Sequence, residues 1–493
     1  MIMENNDRHI VAIDLGSSKI SVTVAKVNGE DIQVIYYKET PSTGIRYSSI
    51  YNDLHAKKAL EKAVRDAEAE LDIKITQAVV GMPKYPVRQE SGNATFPDRG
   101  EDAEITENDI ADLKRFAQSL YPIDDDSKEA IYGSVAQSFS DGENFQIIEE
   151  DIIGMSSNTL EGNFKIFIGK KGNLNKIDSV VNKTGVVPMR KYFTAESTAR
   201  AVLRESEMES GVALIDFGGG CTSVSIYQGK IMRHFASIPF GGKNITNDIK
   251  SECQISERLA ENIKLEFGAC MPDKLLSLSD KILDIRGNGS ESNKQLSVKY
   301  LSEIITARVE EIMMAILYEI EQSGFADSLR SGIVVTGGAA QTANLANLIY
   351  DISGLKVRIG YPQKTFSCEG CDGLAETSAA TAIGLIMSSL NDPSINCARS
   401  NESEPVTDTF VQEVGVVGTD ENPQGSLWKE EEIEKSEPAP TPKPAPKPRK
   451  LRGIIERCFG GVTTTIDNIF EVLDEDKRPD TDNEDEEETE EKA

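Results

Sequence analysis

Two short stretches of this chain alternate apolar and polar residues in almost the same way. IDLGSSKISVTVAK from Ile13 and IDFGGGCTSVSIYQ from Ile215 each run from an apolar β segment ending in Asp, through a glycine-containing turn, into an alternating strand (Ile20, Val22, Val24; Val224, Ile226). The pattern predicts a β-hairpin with a short glycine turn in each case. In register, Asp14 falls on Asp216, Gly16 on Gly218, Ser17 and Ser18 on Gly219 and Gly220, and Ser21, Val22 and Val24 on Ser223, Val224 and Ile226. A lone Asp-x-Gly turn is common in β proteins, but its recurrence marks an internal duplication.

Helical spacing of Leu60, Val64, Ala67 and Leu71 predicts a helix over Leu54–Leu71, followed by a buried strand, ITQAVVGM from Ile75; this is β-then-α alternation. From Lys84 the pattern breaks into Pro, Gly and charges. A capping-box-like start at Thr106-Glu-Asn-Asp109 then opens a helix with Ile110, Leu113, Ala117 and Leu120 on one face, and strands are expected near Gln146–Ile153 and Phe164–Gly169. Residues 84–165 therefore read as an insertion. After a helix from Gly172, a VVPMRKYF strand and a helix from about Ala195 to Arg204, the second hairpin begins a second half. Ser256 is placed to cap a helix, and a longer one runs from Tyr300 to Gln322 with Ile305, Val309, Ile312, Ile316 and Ile320 inward. GIVVTGGAA from Gly332 is an apolar strand meeting Gly337 and Gly338 and then a helix, which suits a nucleotide surface and equally an ordinary βα turn. The globular part is expected to end near Leu390, after an Ala-rich helix.

The expected organisation is a first lobe at 8–83 and 166–205 and an insertion at 84–165. A second lobe covers 206–244 and 331–390, with a helical subdomain at 245–330 inside it. Beyond lie a Pro-, Glu-, Ser- and Lys-rich disordered linker at 391–448, an amphipathic helix at 449–473 and an acidic tail at 474–493. The terminal helix places Leu451, Ile454, Ile455, Phe459, Val462, Ile466, Ile469 and Phe470 on one face, and Lys443, Lys447, Arg449, Lys450, Arg452 and Arg457 flank its start. That combination suits an interfacial membrane helix, or a helix docking on its own body or a partner.

Composition narrows the class. At 493 residues and 39% hydrophobic content the chain can bury sizeable cores, and a net charge of −29 disfavours nucleic acid as the main partner. Seven cysteines are scattered, and the single CxxC, Cys368 and Cys371, lacks the second ligand pair a zinc site needs. The N-terminal MIMENNDRHI has no apolar run, and nowhere do eighteen apolar residues follow one another, so a cytoplasmic protein without a spanning helix is expected.

Chemistry enters through the hairpins. Glycines let backbone N–H groups approach a bound group, successive N–H groups facing one concavity make an anion nest that suits phosphate, and an Asp at the strand end can hold a metal beside it. Two such turns facing each other would clamp a nucleotide triphosphate.

These hairpins, with EITENDI at Glu104, SIPFGGKNITNDI at Ser237, AENIKLEFG at Ala260, VVTGGAAQTANL at Val334 and the terminal helix, resemble the actin, Hsp70 and sugar-kinase superfamily and, within it, the FtsA family of bacterial division proteins. The resemblance implies an α/β, actin-like duplicated ATPase fold, with the insertion as the SHS2-type α+β subdomain found in FtsA. It implies ATP and Mg²⁺ as cofactors. Gly16, Ser17, Ser18 and Lys19 would hold phosphates from one side and Gly218, Gly219, Gly220, Cys221 and Thr222 from the other; Gly241, Gly242, Glu261, Lys264, Gly337 and Gly338 would line the nucleoside; Asp14 and Asp216 would hold Mg²⁺ through water and orient the attacking water. Cys221 stands where relatives place Thr. An acid that positions water in related filament ATPases falls here on Thr194, with Glu196 two residues out of register, so hydrolysis is expected to be slow at most. The implied role is a scaffold that polymerises on the inner face of the cytoplasmic membrane at the division site, with FtsZ, itself, anionic lipid and other division proteins as partners. A small-molecule kinase or an Hsp70-like ATPase of the same fold is the alternative; the first needs an acid beside an acceptor hydroxyl, and the second a β-rich peptide-binding domain.

Overall fold

The computed structural model describes residues 8–400, apart from 30, 98, 101–102, 124, 286–293, 364 and 369. The terminal helix, the acidic tail and all but the first residues of the expected linker lie outside the described residues.

Ile10 to Ile13 are fully buried, which a strand achieves when it is flanked and covered on both faces. Accordingly Arg8–Leu15 sits inside a sheet ordered Val187–Phe193, Gln77–Met82, Arg8–Leu15, Lys19–Asn28, Asp31–Pro41, Ser367–Cys368. It pairs antiparallel with Lys19–Asn28 and parallel with Gln77–Met82. The second sheet repeats this plan with Val357–Ile359, Ile333–Thr336, Val212–Phe217, Thr222–Gln228 and Ile231–Ile238, where Val212–Phe217 again has an antiparallel neighbour on one side and a parallel one on the other. Asp14 stands opposite Ser21, and Asp216 opposite Ser223. The duplication therefore extends to sheet register, and the fold is the actin-like duplicated α/β one.

Helices cover the sheets as their apolar spacing dictates. Asp53–Leu71, capped by the Asn52 side chain on the His55 N–H, buries Leu60, Val64 and Ala67. Val298–Gln322 buries Ile305, Val309, Ile312, Ile316 and Ile320, so its inward stripe is the one the spacing predicts. Ser256 caps Glu257–Phe267 by accepting the Leu259 N–H.

The insertion is a three-stranded antiparallel sheet, Val87–Phe96, Leu160–Lys170 and Glu129–Ser140, under the helix Glu107–Leu120, with its own apolar core. The capping box is present: Thr106 accepts the Asp109 N–H at 3.3 Å and Asp109 accepts the Thr106 N–H at 2.8 Å. Two expectations fail here. Leu120 is 54% exposed rather than inward, because the helix ends there. The strand near Gln146–Ile153 is reduced to a single bridge, Ile147 opposite Phe139, and the rest turns into a short helix, Glu149–Ile152, whose first turn carries three acids that favour a helix N-terminus. The sheet instead uses Glu129–Ser140 and Val87–Phe96, the latter with almost no apolar alternation to betray it, since only Ala94 is buried.

The globular part also runs further than expected. Ala398–Ser400 pairs antiparallel with Ile73–Ile75, and the Cys397 N–H donates to His9 O, so the first residues assigned to the linker are built into the first lobe. The preceding helix, Ala380–Ser388, comes in sequence after second-lobe strands but shares the first lobe's core. It is apolar nearly all round and so must be enclosed. Gly384 lies against the Ser197 carbonyl, where a Cβ has no room, and this lets the helix close on Thr194–Val202. Among the described residues no helix is long and apolar enough to cross a membrane.

Candidate functional site

The two hairpin turns face each other across a cleft of about 360 Å³. Asp14, Gly16, Ser17, Ser18 and Lys19 line it from the first lobe; Asp216, Gly218, Gly219, Gly220, Cys221, Gly242, Glu261, Lys264, Gly337 and Gly338 line it from the second. The turns come so close that a Cβ on Gly219 would run into Ser18 Oγ, and one on Gly220 would stand 2.5 Å from Ser17 Oγ. At Gly220 even a methyl would collide with Ser17 Cβ, and at Gly219 it would make the Ser18 hydroxyl swing aside, so bulkier side chains at either position would force the turns apart.

Two residues of the predicted set shape the cleft from behind. Thr222 is buried and donates its hydroxyl to Phe240 O at 2.8 Å. Gly241 donates its N–H to Asn244 Oδ1 at 2.9 Å, and a Cβ there would strike Gly218 O. The Gly337–Gly338 turn is also built differently from the expectation. It leads into a short 3₁₀ helix, Gly338–Gln341, and the α-helix Leu345–Ser353 starts later, so no α-helix N-terminus stands at the turn. Gly337 contributes through backbone shape: its φ is +92°, and a Cβ would sit 2.6 Å from both Asp216 Oδ1 and Phe217 O.

Most of the charged side chains in the cleft are ion-paired, and several partners were not foreseen from sequence. Lys84 donates to Asp216 Oδ2, with side-chain exposures of 11% and 9%. Burial works against the ammonium, but Asp216, Cys221 and Asp14 outweigh it and hold its pKa above the ordinary lysine value. Burial raises the Asp14 carboxyl, with Lys84 and Lys19 opposing and Asp216 assisting. Lys19 pairs with Glu39, which also accepts from Tyr37 at 2.5 Å and Ser378 at 2.9 Å. Burial alone would raise Glu39; these donors, Lys19 foremost, bring it below its usual value. Burial pushes the Cys221 thiol up to about 11, so it stays protonated at neutral pH. At the other end Lys264 Nζ donates to Glu261 Oε2 and Thr246 Oγ1, both at 2.8 Å, and to Gly242 O at 3.1 Å.

Lys84 had a readable signal. It follows the strand Gln77–Met82, which runs parallel to Arg8–Leu15, and Gly81 abuts Asp14 there. A cation just past the C-terminal end of the strand beside an Asp-bearing one faces the same crevice. Thr194 is buried, opens the helix Thr194–Val202 and donates to Met82 O at 3.0 Å. Glu196 is absent from the cleft wall, and burial raises its carboxyl against Lys114 and Arg200. Cys368 lies exposed on a sheet-edge strand, Cys371 donates weakly to Val34 O, and among the described residues no cluster of three or more His, Cys, Asp or Glu is set for a metal.

A hard dication would therefore draw on Asp14, Asp216, water and phosphate oxygens, the donor set Mg²⁺ prefers. The close-set glycine turns and the cleft volume fit a phosphate chain. The duplicated sheets and this cleft define a protein of the actin-like ATPase fold, and a solved structure described as the PilM-PilN type IV pilus biogenesis complex matches it with a TM-score of 0.54 at 11% identity, covering 77% of this chain and 98% of that one. Residues 213–384 match the sequence profile of the family described as Cell division protein FtsA. The chain is 30% identical over 388 residues to Cell division protein FtsA of Neisseria meningitidis, covering 78% of this chain and 91% of that relative. It is 25% identical over 413 residues to the Bacillus subtilis protein of the same name, covering 84% and 90%. The chain belongs to the FtsA family.

Proposed function

We propose that the chain is an ATP-binding, actin-like scaffold of bacterial cell division that polymerises on the inner face of the cytoplasmic membrane and anchors the FtsZ ring through its C-terminal helix. The family supports the division role. The observation that carries the nucleotide part is the pair of opposed glycine turns, each beside an Asp, closing on one cleft. Gly16–Lys19 and Gly218–Cys221 would hold the phosphates, Glu261, Lys264 and Gly338 the nucleoside, and Asp14 and Asp216 the Mg²⁺, which supplies charge neutralisation on the phosphates. Light scattering of purified protein with ATP, with and without vesicles, tests the whole reading: ATP-dependent assembly that vesicles enhance is expected, and no response to either would refute it. Turnover with a panel of sugars would identify the kinase alternative instead.

Slow chemistry is expected. The Thr194 hydroxyl is spent on Met82 O and has no basicity, so the factor of about 10² to 10⁴ from a positioned base is missing. Single-turnover measurements should find ATP held for long periods; a turnover of several per second, lost in Asp216→Ala, would contradict this.

The acidic tail from Asp474 would be repelled by an anionic leaflet and so is expected to project away from it. Deleting residues 476–493 should strengthen vesicle binding or leave it unaltered in co-sedimentation. A fall in binding would overturn this.

A further inference from the structure

We propose that Lys84 is the residue through which the cleft tells ATP from ADP, and that it passes the difference to the 84–165 insertion; this rests on the reading of the cleft as a nucleotide site. Lys84 is a nearly enclosed ammonium whose partner is Asp216, one of the two carboxylates offered to a metal. A buried cation is tolerated only with an anion against it. A dication held by Asp14 and Asp216 would draw on the carboxylate that now faces Lys84, and the ammonium would need other negative charge. Asp14, the other carboxylate acting on Lys84, is offered to the same metal, so within the cleft that charge would come from the phosphates. In the proposed orientation Glu261 and Lys264 hold the nucleoside while Asp14 and Asp216 hold the metal on the phosphates, so the phosphate farthest from the nucleoside comes nearest to Lys84, which Asp216 holds. ADP lacks that phosphate, so with Mg·ADP the ammonium has no phosphate to move to and stays on Asp216, sharing it with the dication.

The segment that starts at Lys84 is tied to three parts of the fold. Its carbonyl accepts from Ser237 Oγ at 2.7 Å, on the outer strand Ile231–Ile238 of the second sheet, and the next carbonyl, of Tyr85, accepts from Ser49 of the first lobe at 3.1 Å. Two residues further the insertion strand Val87–Phe96 begins. Its Gln89 accepts the Phe235 N–H at 2.9 Å and meets His234 Nδ1 at 2.7 Å, while Gln137 donates to Met232 O at 2.9 Å and accepts at its carbonyl from Arg233 at 2.9 Å. The insertion is thus hung on the second lobe by side chain to backbone hydrogen bonds that begin at Lys84. Bonds of this kind exchange readily, each contributing about 0.5–1.5 kcal/mol net. When Lys84 moves from Asp216 to a phosphate, it pulls on the first of them.

Two measurements on the full chain test this: calorimetric titration with Mg·ATP and Mg·ADP, and hydrogen exchange over residues 87–96 and 231–238 with each nucleotide saturating. In wild type, exchange in both segments should differ between ATP and ADP. Lys84→Met should weaken ATP binding about 10- to 100-fold, as expected for a charged hydrogen bond, change ADP binding by less than about threefold, and abolish the exchange difference. Retained ADP binding shows that the variant is folded. Ser237→Ala, which leaves the ammonium in place, should keep the ATP preference and reduce the exchange difference. The proposal is overturned if Lys84→Met weakens both nucleotides equally, or if the exchange difference persists in Lys84→Met or is undiminished in Ser237→Ala. Wild type that binds neither nucleotide refutes the cleft reading itself, and this proposal with it.

Discussion

Gly219→Val weakens Mg·ATP binding by about 10- to 100-fold in the expected result, because overpacking at a close contact costs about 1–3 kcal/mol and here the contact is between the two phosphate turns. A Cβ on Gly219 already meets Ser18 Oγ, and it stands 3.0 Å from Ser18 Cβ; two further methyls leave no way to close the cleft without moving a turn. Asp216→Ala is expected to weaken binding as well, by removing a metal-organising carboxylate. The structure changes how that variant must be judged. Asp216→Ala would leave the Lys84 ammonium enclosed without its anion, and breaking a buried pair on one side costs about 3–5 kcal/mol. Its melting temperature should therefore fall, whereas Asp216→Asn keeps the shape and an oxygen beside Lys84. Calorimetric titration of Gly219→Val and Asp216→Asn, with thermal melts as the control, is the measurement. Wild-type affinity in both would remove the nucleotide assignment.

Replacing Ile455 and Phe459 together with Asp should abolish pelleting with anionic vesicles while ATP still binds. Both belong to the apolar stripe of residues 449–473, and cations at Lys443, Lys447, Arg449, Lys450, Arg452 and Arg457 precede or open it. An interfacial helix needs an apolar face at the acyl boundary and cations beside anionic headgroups, worth about 1 kcal/mol each near the surface. Two carboxylates remove the apolar face and are repelled by the anionic headgroups. Binding of the wild type should fall as anionic lipid is diluted or salt is raised, since screening acts over about 10 Å at 0.1 M. Removing everything after Pro448 should leave the melting temperature unchanged. Pelleting by the double variant, or a truncation that destabilises the globular part, would mean that the helix docks on the body of the protein.

How much of the site could be read in advance depended on whether its signal was local. The turns Gly16–Lys19 and Gly218–Cys221 were legible because a glycine turn between an Asp-ended strand and an alternating strand is written within a dozen or so residues, twice. The long helix Val298–Gln322 was legible for a similar reason, its stripe recurring over several turns. The strand Val87–Phe96 was not, because its polar side chains face neighbours from other parts of the chain, such as Gln89 toward Phe235 and His234. The Ala380–Ser388 helix announced that it would be buried but could not say beneath which sheet; Gly384 meeting the Ser197 carbonyl decided that.

By itself the sequence determined the duplication, the two Asp-and-glycine turns, the helical stripes and the amphipathic end of the chain, since each follows from residues near one another along the backbone. Only the tertiary structure decided which charges share the cleft. Lys84 and Asp216 are 132 positions apart, and Lys19, Glu39 and Ser378 come from three separate segments. A buried cation selects its partner by proximity in space, because desolvation makes an unpaired charge too costly to keep, and proximity is settled only when the lobes have closed.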